Sequence, residues 1–305
     1  MGTKPRILLT GATGFVGKAI LRELIREEYQ VMVLARNSQR LGSVSANVKI
    51  CECALENITP DVVSVISTFA PEIVIHAAWM GTENTNRNAP EFVWLNLQSA
   101  LQLFEITVAA GCGRWIAFGS QAEYSDGIAE DVSERMPTFP HSVYGATKLA
   151  VCHTLQALAV KQQIECVWLR IFASYGSEYK ASYVMPYLHD CFSKQEMPVF
   201  KTPHAVWDYI HVDDVAGATM AALQAPKVHG IFNLATGVGH SIGEIALTMA
   251  EHCKFKDVAG LRRAIENVGD MPTRRVADIN AIKHALNWKP EIALEKALAQ
   301  VPQWK

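Results

Sequence analysis

The sequence predicts a doubly wound parallel α/β sheet with a smaller, partly interleaved C-terminal lobe. Three observations carry this expectation. Short, continuously apolar runs alternate with helical stretches through roughly the first 172 residues; a G-x-x-G-x-x-G turn directly follows the first run; and the alternation breaks down beyond it. Strands covered by helices on both faces lose contact with water on both sides, so they read as unbroken apolar runs.

The first run is Arg6-Ile7-Leu8-Leu9-Thr10, and a helical pattern of Phe15, Val16, Ile20, Leu21, Leu24 and Ile25 follows it. Further strands are expected at Val31-Met32-Val33-Leu34, Val48-Lys49-Ile50, Ile73-Val74-Ile75, Trp115-Ile116-Ala117-Phe118 and Cys166 to Ile171. Helices are expected around 60–69, 91–110 and 142–162. Right-handed crossovers between such strands place a ligand at their carboxyl ends. Prolines at 186, 198, 203, 226 and 272 punctuate shorter pieces later on, while Ile231-Phe232-Asn233-Leu234 still reads as a sheet strand. The expected organisation is a dinucleotide-binding domain over 1–172, joined by the strand near 231–234, and a mainly substrate-binding lobe over 173–305.

Bulk properties narrow the function. Half of the 305 residues are apolar, and the net charge is −2 with no basic run, so no nucleic-acid partner is expected. No apolar run approaches the ~18 residues needed to span a bilayer, and the first strand starts too near Met1 to leave room for a signal peptide. Seven cysteines with no Cys-x-x-Cys pair suit unpaired thiols in a reducing compartment, so a cytoplasmic location is expected. No histidine has a carboxylate or second histidine at ligand spacing, and no metal site is expected.

Gly11, Gly14 and Gly17 carry the cofactor argument. The first glycine permits a tight strand-to-helix turn, the second lets the backbone approach a pyrophosphate, and the third lets helix and strand pack closely. The phosphates then meet the free N–H groups and positive end of the helix. This is the Rossmann arrangement. At the end of the second strand an NAD site usually offers a carboxylate to the ribose hydroxyls, about 20 residues past the glycines. Here the strand ends Leu34-Ala35-Arg36-Asn37-Ser38, with Arg40 nearby. A guanidinium suits a 2′-phosphate, so NADP is expected ahead of NAD.

Tyr144 and Lys148 stand four residues apart on one helical face, and Ser120 emerges at the ligand-facing end of the fifth strand. A free phenol, with pKa about 10, is a poor acid–base group at neutral pH. A neighbouring ammonium favours its anion, and a serine hydroxyl can polarise the reacting oxygen. Hydride transfer to or from a carbonyl carbon, with Tyr144 handling the proton, is the chemistry these residues suit.

These segments resemble the extended short-chain dehydrogenase/reductases, in the branch of nucleotide-sugar epimerases, dehydratases and ketoreductases. The resemblance runs through Thr10 to Gly17, Val74 to Ala78, Asn96, Ser120 to Tyr124, Tyr144 to Lys148, Leu169 to Phe172, Asp208 to Asp214 and Leu286 to Pro290. It implies that Ser120, Tyr144 and Lys148 are catalytic, with Tyr144 and Lys148 also reaching the cofactor. It further implies that Phe15 and Val16 contact pyrophosphate, Leu55 the adenine, Ala77 and Ala78 the ribose region, and Phe172 the nicotinamide pocket. A homodimer through the two long helices, and a nucleotide sugar as substrate, follow from the same likeness.

The departures also bear on function. Sugar dehydratases of this branch place an Asp-Glu pair after the serine or threonine; Gln121-Ala122 stand there, and Glu123, one position late, should face away. Two arginines that grip substrate diphosphate in related epimerases are replaced by Trp207 and Asn267. The leading expectation is therefore an NADP-dependent reductase of a nucleotide-linked 4-keto-6-deoxyhexose or similar ketosugar. The alternatives are an NAD-dependent 4-epimerase, a reductase of non-sugar ketones, and a non-catalytic dinucleotide sensor.

Overall fold

The computed structural model describes residues 4–82, 86–126, 130–176, 183–269 and 273–301; Pro272 and parts of the segments 79–95 and 174–207 lie outside them. In chain order the first half runs β1 (Ile7–Thr10), α1 (Phe15–Arg26), β2 (Val31–Ala35), β3 (Val48–Glu52), α2 (Pro60–Phe69), β4 (Ile73–His76), α3 (Glu91–Ala109), β5 (Arg114–Ser120), α4 (Val143–Gln162) and β6 (Glu165–Ile171). After it come β7 (Ala173–Tyr175), α5 (Val184–Ser193), β8 (Val206–His211), α6 (Val212–Gln224), β9 (Gly230–Leu234), β10 (Gly239–Ser241), α7 (Ile242–His252), α8 (Val258–Glu266) and β11 (Arg274–Arg275).

A seven-stranded sheet has the order β3-β2-β1-β4-β5-β6-β9, with every neighbouring pair parallel. Side chains alternate across it, as the two-residue period of a strand requires. Ile7, Leu9, Ile116, Phe118, Val167 and Leu169 face one apolar cluster with Ile20 and Leu24 of α1 and Val215 of α6. Leu8, Trp115, Ala117, Cys166 and Trp168 face a second, with Ile66 of α2, Leu103 of α3 and Leu155 of α4. The strand expected near 231–234 completes this sheet beside β6, although β7, α5, β8 and α6 intervene in sequence.

The second sheet is built around β8, which pairs with β10 antiparallel and with β7 and β11 in parallel. Tyr175, Met185, Phe192, Met249 and Leu261 form its own apolar cluster. The segment Asp208 to Asp214 ties these parts together. The buried Asp208 carboxylate accepts from Thr236 N at 2.8 Å, Thr236 Oγ1 at 2.5 Å, Gly237 N at 2.8 Å and Ala277 N at 3.2 Å. His211 caps α6 through Nδ1, and Asp214 accepts from the backbone of Glu291 and Ile292. Among the described residues no helix is long and apolar enough to cross a membrane, and the seven cysteines are free.

Asp208→Ala strands one buried and two partly buried backbone donors, at a cost of about 1–3 kcal/mol for the buried one and less for the others. It is expected to lower Tm by roughly 5–10 °C, measured by calorimetry, with far-ultraviolet circular dichroism retained.

Candidate active site

The carboxyl ends of the parallel strands bring most of the expected site residues to one edge. Gly11 follows β1 at φ +75°, and a Cβ there would lie 2.5 Å from Ala77 C and Ala78 N. At Gly17 a Cβ would stand 2.0 Å from Gly11 O. Both glycines are dictated by backbone approach. Gly14 differs: a Cβ would meet only Gly11 O at 3.3 Å, and as N-cap of α1 it carries no side-chain cap. The first turn of α1 thus meets the strand ends with no side-chain cap, and this mouth fits a dinucleotide pyrophosphate. Phe15 and Val16 are half-buried in the first turn. Ala77 and Ala78 hang from β1, with Ala77 N donating to Thr10 O at 3.3 Å and Ala78 N to Thr10 Oγ1 at 3.2 Å. Phe172 is buried just after β6, its N donating to Leu234 O at 3.1 Å.

Arg36 is exposed just past β2, and Leu55 is buried after β3. The fold adds a group that inspection of the second strand alone does not find. Glu52 closes β3 in register with Ala35, and its carboxylate accepts from Ser38 N at 3.0 Å and Ser38 Oγ at 2.5 Å. Those bonds hold it below the ordinary carboxylate pKa. The expectation that no acid stands at this edge is corrected: a carboxylate reaches the end of β2 from the neighbouring strand. Extending the register of the strands at 31–34 and 48–50 by two residues would have placed it there.

Ser120, Tyr144 and Lys148 converge as follows. Ser120 is the last residue of β5; its Oγ accepts from Ala122 N at 3.2 Å, leaving its hydrogen free to donate. The α4 helix, capped by Ser142 accepting from Gly145 N at 3.0 Å, sets Tyr144 in its first turn. Gly145 is needed because a Cβ there would lie 2.0 Å from Ala122 O, so the helix rests directly on the turn that follows Ser120. The Tyr144 phenol is pushed above its ordinary pKa by burial, while the Arg87 charge and hydrogen bonds with Ser120 and Arg87 pull it back. Lys148 is buried one turn on, its Nζ donating to Phe118 O at 2.7 Å and lying 3.6 Å from the centroid of the Trp79 ring. Burial pulls its ammonium below the usual lysine range; Glu123 opposes that and Arg87 adds to it.

Glu123 does not point at the site. It is fully buried and bonds Arg170 Nε at 2.7 Å and Trp168 Nε1 at 3.1 Å, while its Oε1 accepts from Ser120 N at 2.8 Å. Arg170 NH1 donates to Tyr124 Oη at 2.9 Å, and Tyr124 donates to Asn233 Oδ1 at 2.7 Å. A polar chain therefore runs from β9 through β6 to the backbone of Ser120. Arg275 supports the same turn. It is buried and donates to Gln121 O and Ser125 O, each at 2.9 Å. Arg262 and Arg263 are exposed on α8, and Arg274 pairs with Asp131 at 2.6 Å.

Trp79, Arg87 and Asn88, from the segment between β4 and α3, escape sequence reasoning because that segment has no periodicity. The one available signal was Asn96. Its side chain accepts from Met80 N at 2.8 Å and donates to Met80 O at 3.0 Å, which pins the residue after Trp79. His76 is structural: buried, 2.9 Å from Thr10 Oγ1, and brought down to about 3 by burial and then by Lys148.

A helix N-terminus without a side-chain cap at the edge of a doubly wound sheet, beside a half-buried tyrosine and a buried lysine and serine, defines a dinucleotide-dependent enzyme of the short-chain oxidoreductase type. The profile of the NAD dependent epimerase/dehydratase family matches residues 7–235, and the chain belongs to that family. It is 27% identical over 309 aligned residues to UDP-glucose 4-epimerase of Corynebacterium glutamicum, covering 94% of this chain and 91% of that one. It is 25% identical to dTDP-L-rhamnose 4-epimerase of Burkholderia thailandensis, covering 98% and 94%. In fold it resembles the Thermotoga maritima UDP-glucose 4-epimerase solved with UDP-glucose, at TM-score 0.85, 22% identity and 98% coverage of both chains. It also resembles the Thermus thermophilus UDP-glucose 4-epimerase complex with NAD, at TM-score 0.80, 23% identity and 98% coverage of both.

Gly145→Ala should push α4 off the turn after Ser120, at a cost of about 1–3 kcal/mol of overpacking. Turnover is expected to drop more than tenfold while dinucleotide affinity, measured by calorimetric titration, changes little; equal losses in both would contradict this local picture.

Proposed function

We propose that the protein is a nucleotide-sugar 4-epimerase working with NAD, acting on a UDP- or dTDP-linked hexose. The observation that carries the reading is the state of the turn after Ser120. Gln121 and Ala122 offer no acid or base, and Glu123 is held in the core by Arg170, so this turn lacks the groups that would remove water from a sugar. The full-length likeness to 4-epimerases of UDP- and dTDP-sugars, and the carboxylate of Glu52 at the end of β2, support the epimerase and NAD over the ketosugar reductase and NADP.

The nicotinamide of a bound dinucleotide supplies the hydride acceptor and donor. The chain supplies the rest. Tyr144 takes the proton of the sugar C4 hydroxyl onto its phenol oxygen, Ser120 donates to the same sugar oxygen and steadies its charge, and Lys148 lies one turn away to engage ribose hydroxyls. The ketosugar then turns, and Tyr144 returns the proton to the oxygen once the opposite face is presented. Gly11, Gly14, Phe15, Val16, Gly17, Leu55, Ala77, Ala78 and Phe172 hold the dinucleotide, and residues 173–305 mainly hold the sugar nucleotide. Phe118 O and the face of Trp79 fix the position of the Lys148 ammonium.

One observation favours a second reading. Arg36 stands exposed after Ala35, where an NADP-dependent ketosugar reductase would place a guanidinium for the 2′-phosphate. The two readings separate on the purified protein: the epimerase carries NAD and interconverts C4 epimers with no net change in nicotinamide absorbance, whereas the reductase consumes NADPH in step with substrate. We also propose a homodimer in which the adjacent α3 and α4 bury Trp94 and Val160, exposed at 66% and 78%, and a cytoplasmic location in keeping with the free thiols.

Tyr144→Phe is expected to lower kcat by two or more orders of magnitude while NAD still copurifies. Near-normal interconversion of UDP-glucose and UDP-galactose by that variant, followed by proton NMR, would remove Tyr144 from the mechanism.

A further inference from the structure

Arg87 and Asn88, just ahead of α3, lie against Tyr144 and bring it a second cation. Asn88 Oδ1 accepts from Tyr144 N at 3.3 Å, which pins the segment to the start of α4. The next residue back, Arg87, places its guanidinium carbon 3.8 Å from the centroid of the Tyr144 ring. Trp79 meets the same ring edge-on at 6.0 Å. The Lys148 ammonium is farther, 6.0 Å from that centroid, and is engaged with Phe118 O and the face of Trp79. A guanidinium is planar and always charged; it can stack on an aromatic face and donate to the phenol oxygen at once, which an ammonium cannot do.

We propose that Arg87 is a positioning residue for proton transfer: its guanidinium, lying on Tyr144, holds the ring in place and stabilises the phenolate, leaving Lys148 for the cofactor ribose. The claim rests on the reading of Tyr144 as the group that exchanges a proton with the sugar oxygen. No additional reactant enters. The sugar hydroxyl gives its proton to the phenolate and later receives it back, while Arg87 keeps its own protons throughout.

The charged groups that face Tyr144 come from three elements. Arg87 favours the phenolate from the β4–α3 segment, Lys148 lies on its own helix, and Glu123 opposes the phenolate from the turn after β5. The Glu123 charge is largely met by Arg170 at 2.7 Å. His76, beside Lys148, stays neutral through burial. Removing the Arg87 charge therefore raises the phenol pKa, and it also raises that of Lys148, which Arg87 holds down. Both limbs of a pH–rate profile should move toward higher pH.

The test uses the holoprotein and its Arg87→Gln and Arg87→Lys variants. Tyrosinate absorbance is titrated for each, with the same titration on Tyr144→Phe subtracted to isolate one phenol. Arg87→Gln should move the Tyr144 ionisation up by roughly one pH unit or more, and Arg87→Lys should restore part of that shift. The acid limb of kcat/KM should follow the titration, with kcat reduced more than KM is changed. An unmoved ionisation in Arg87→Gln overturns the proposal, as does an acid limb that stays in place when the ionisation moves. The absorbance titration needs no sugar substrate. A shift there in a protein that epimerises nothing would keep the role of Arg87 toward Tyr144 and reject the epimerase.

Discussion

Glu123 and Arg170 meet at 2.7 Å where water does not reach either side chain. Two buried charges are tolerated only when each finds its counterpart and its remaining hydrogen-bonding positions are filled. Here Trp168, Tyr124 and the backbone of Ser120 do the filling. The consequence is functional. The same carboxylate that balances Arg170 also sets the end of β5, so the serine hydroxyl is aimed by a network anchored as far away as Asn233 on β9. β9 arrives in the sheet from deep in the second half of the chain, which makes the site depend on both halves.

A second constraint is the closeness of backbone to backbone. Gly17 against Gly11, Gly11 against Ala77 and Gly145 against Ala122 are contacts that any side chain would break. They bring a helix N-terminus, a strand end and the tyrosine helix within reach of one ligand. Gly14 contrasts with them, since the space beside it stays open, as a site for phosphate requires. The strand end and α4 then carry Ser120, Tyr144 and Lys148, and Trp79 and Arg87 lie around them.

The electrostatics of the pocket differ from a simple tyrosine–lysine pair. Burial opposes charge on both groups, raising the phenol and lowering the ammonium. Trp79 covers the lysine and Arg87 covers the tyrosine, so each of the two side chains has its own aromatic or cationic companion. In a water-poor site such companions matter more than they would at the surface.

Much of this was legible in the chain alone. Continuous apolar runs and the three spaced glycines determined the sheet and its cofactor edge, because burial on both faces and tight backbone turns leave direct marks on residue type. The four-residue step from Tyr144 to Lys148 placed both on one helical face for the same local reason. What tertiary structure alone decided were the partners that come from elsewhere: Glu52 carried to the end of β2 by strand register, Arg87 laid on Tyr144 from outside any periodic element, Arg275 drawn into the turn after Ser120, and Arg170 as the partner of Glu123, whose turning away the sequence anticipated. Contacts of that kind are set by how distant segments pack, and neither period nor composition records them.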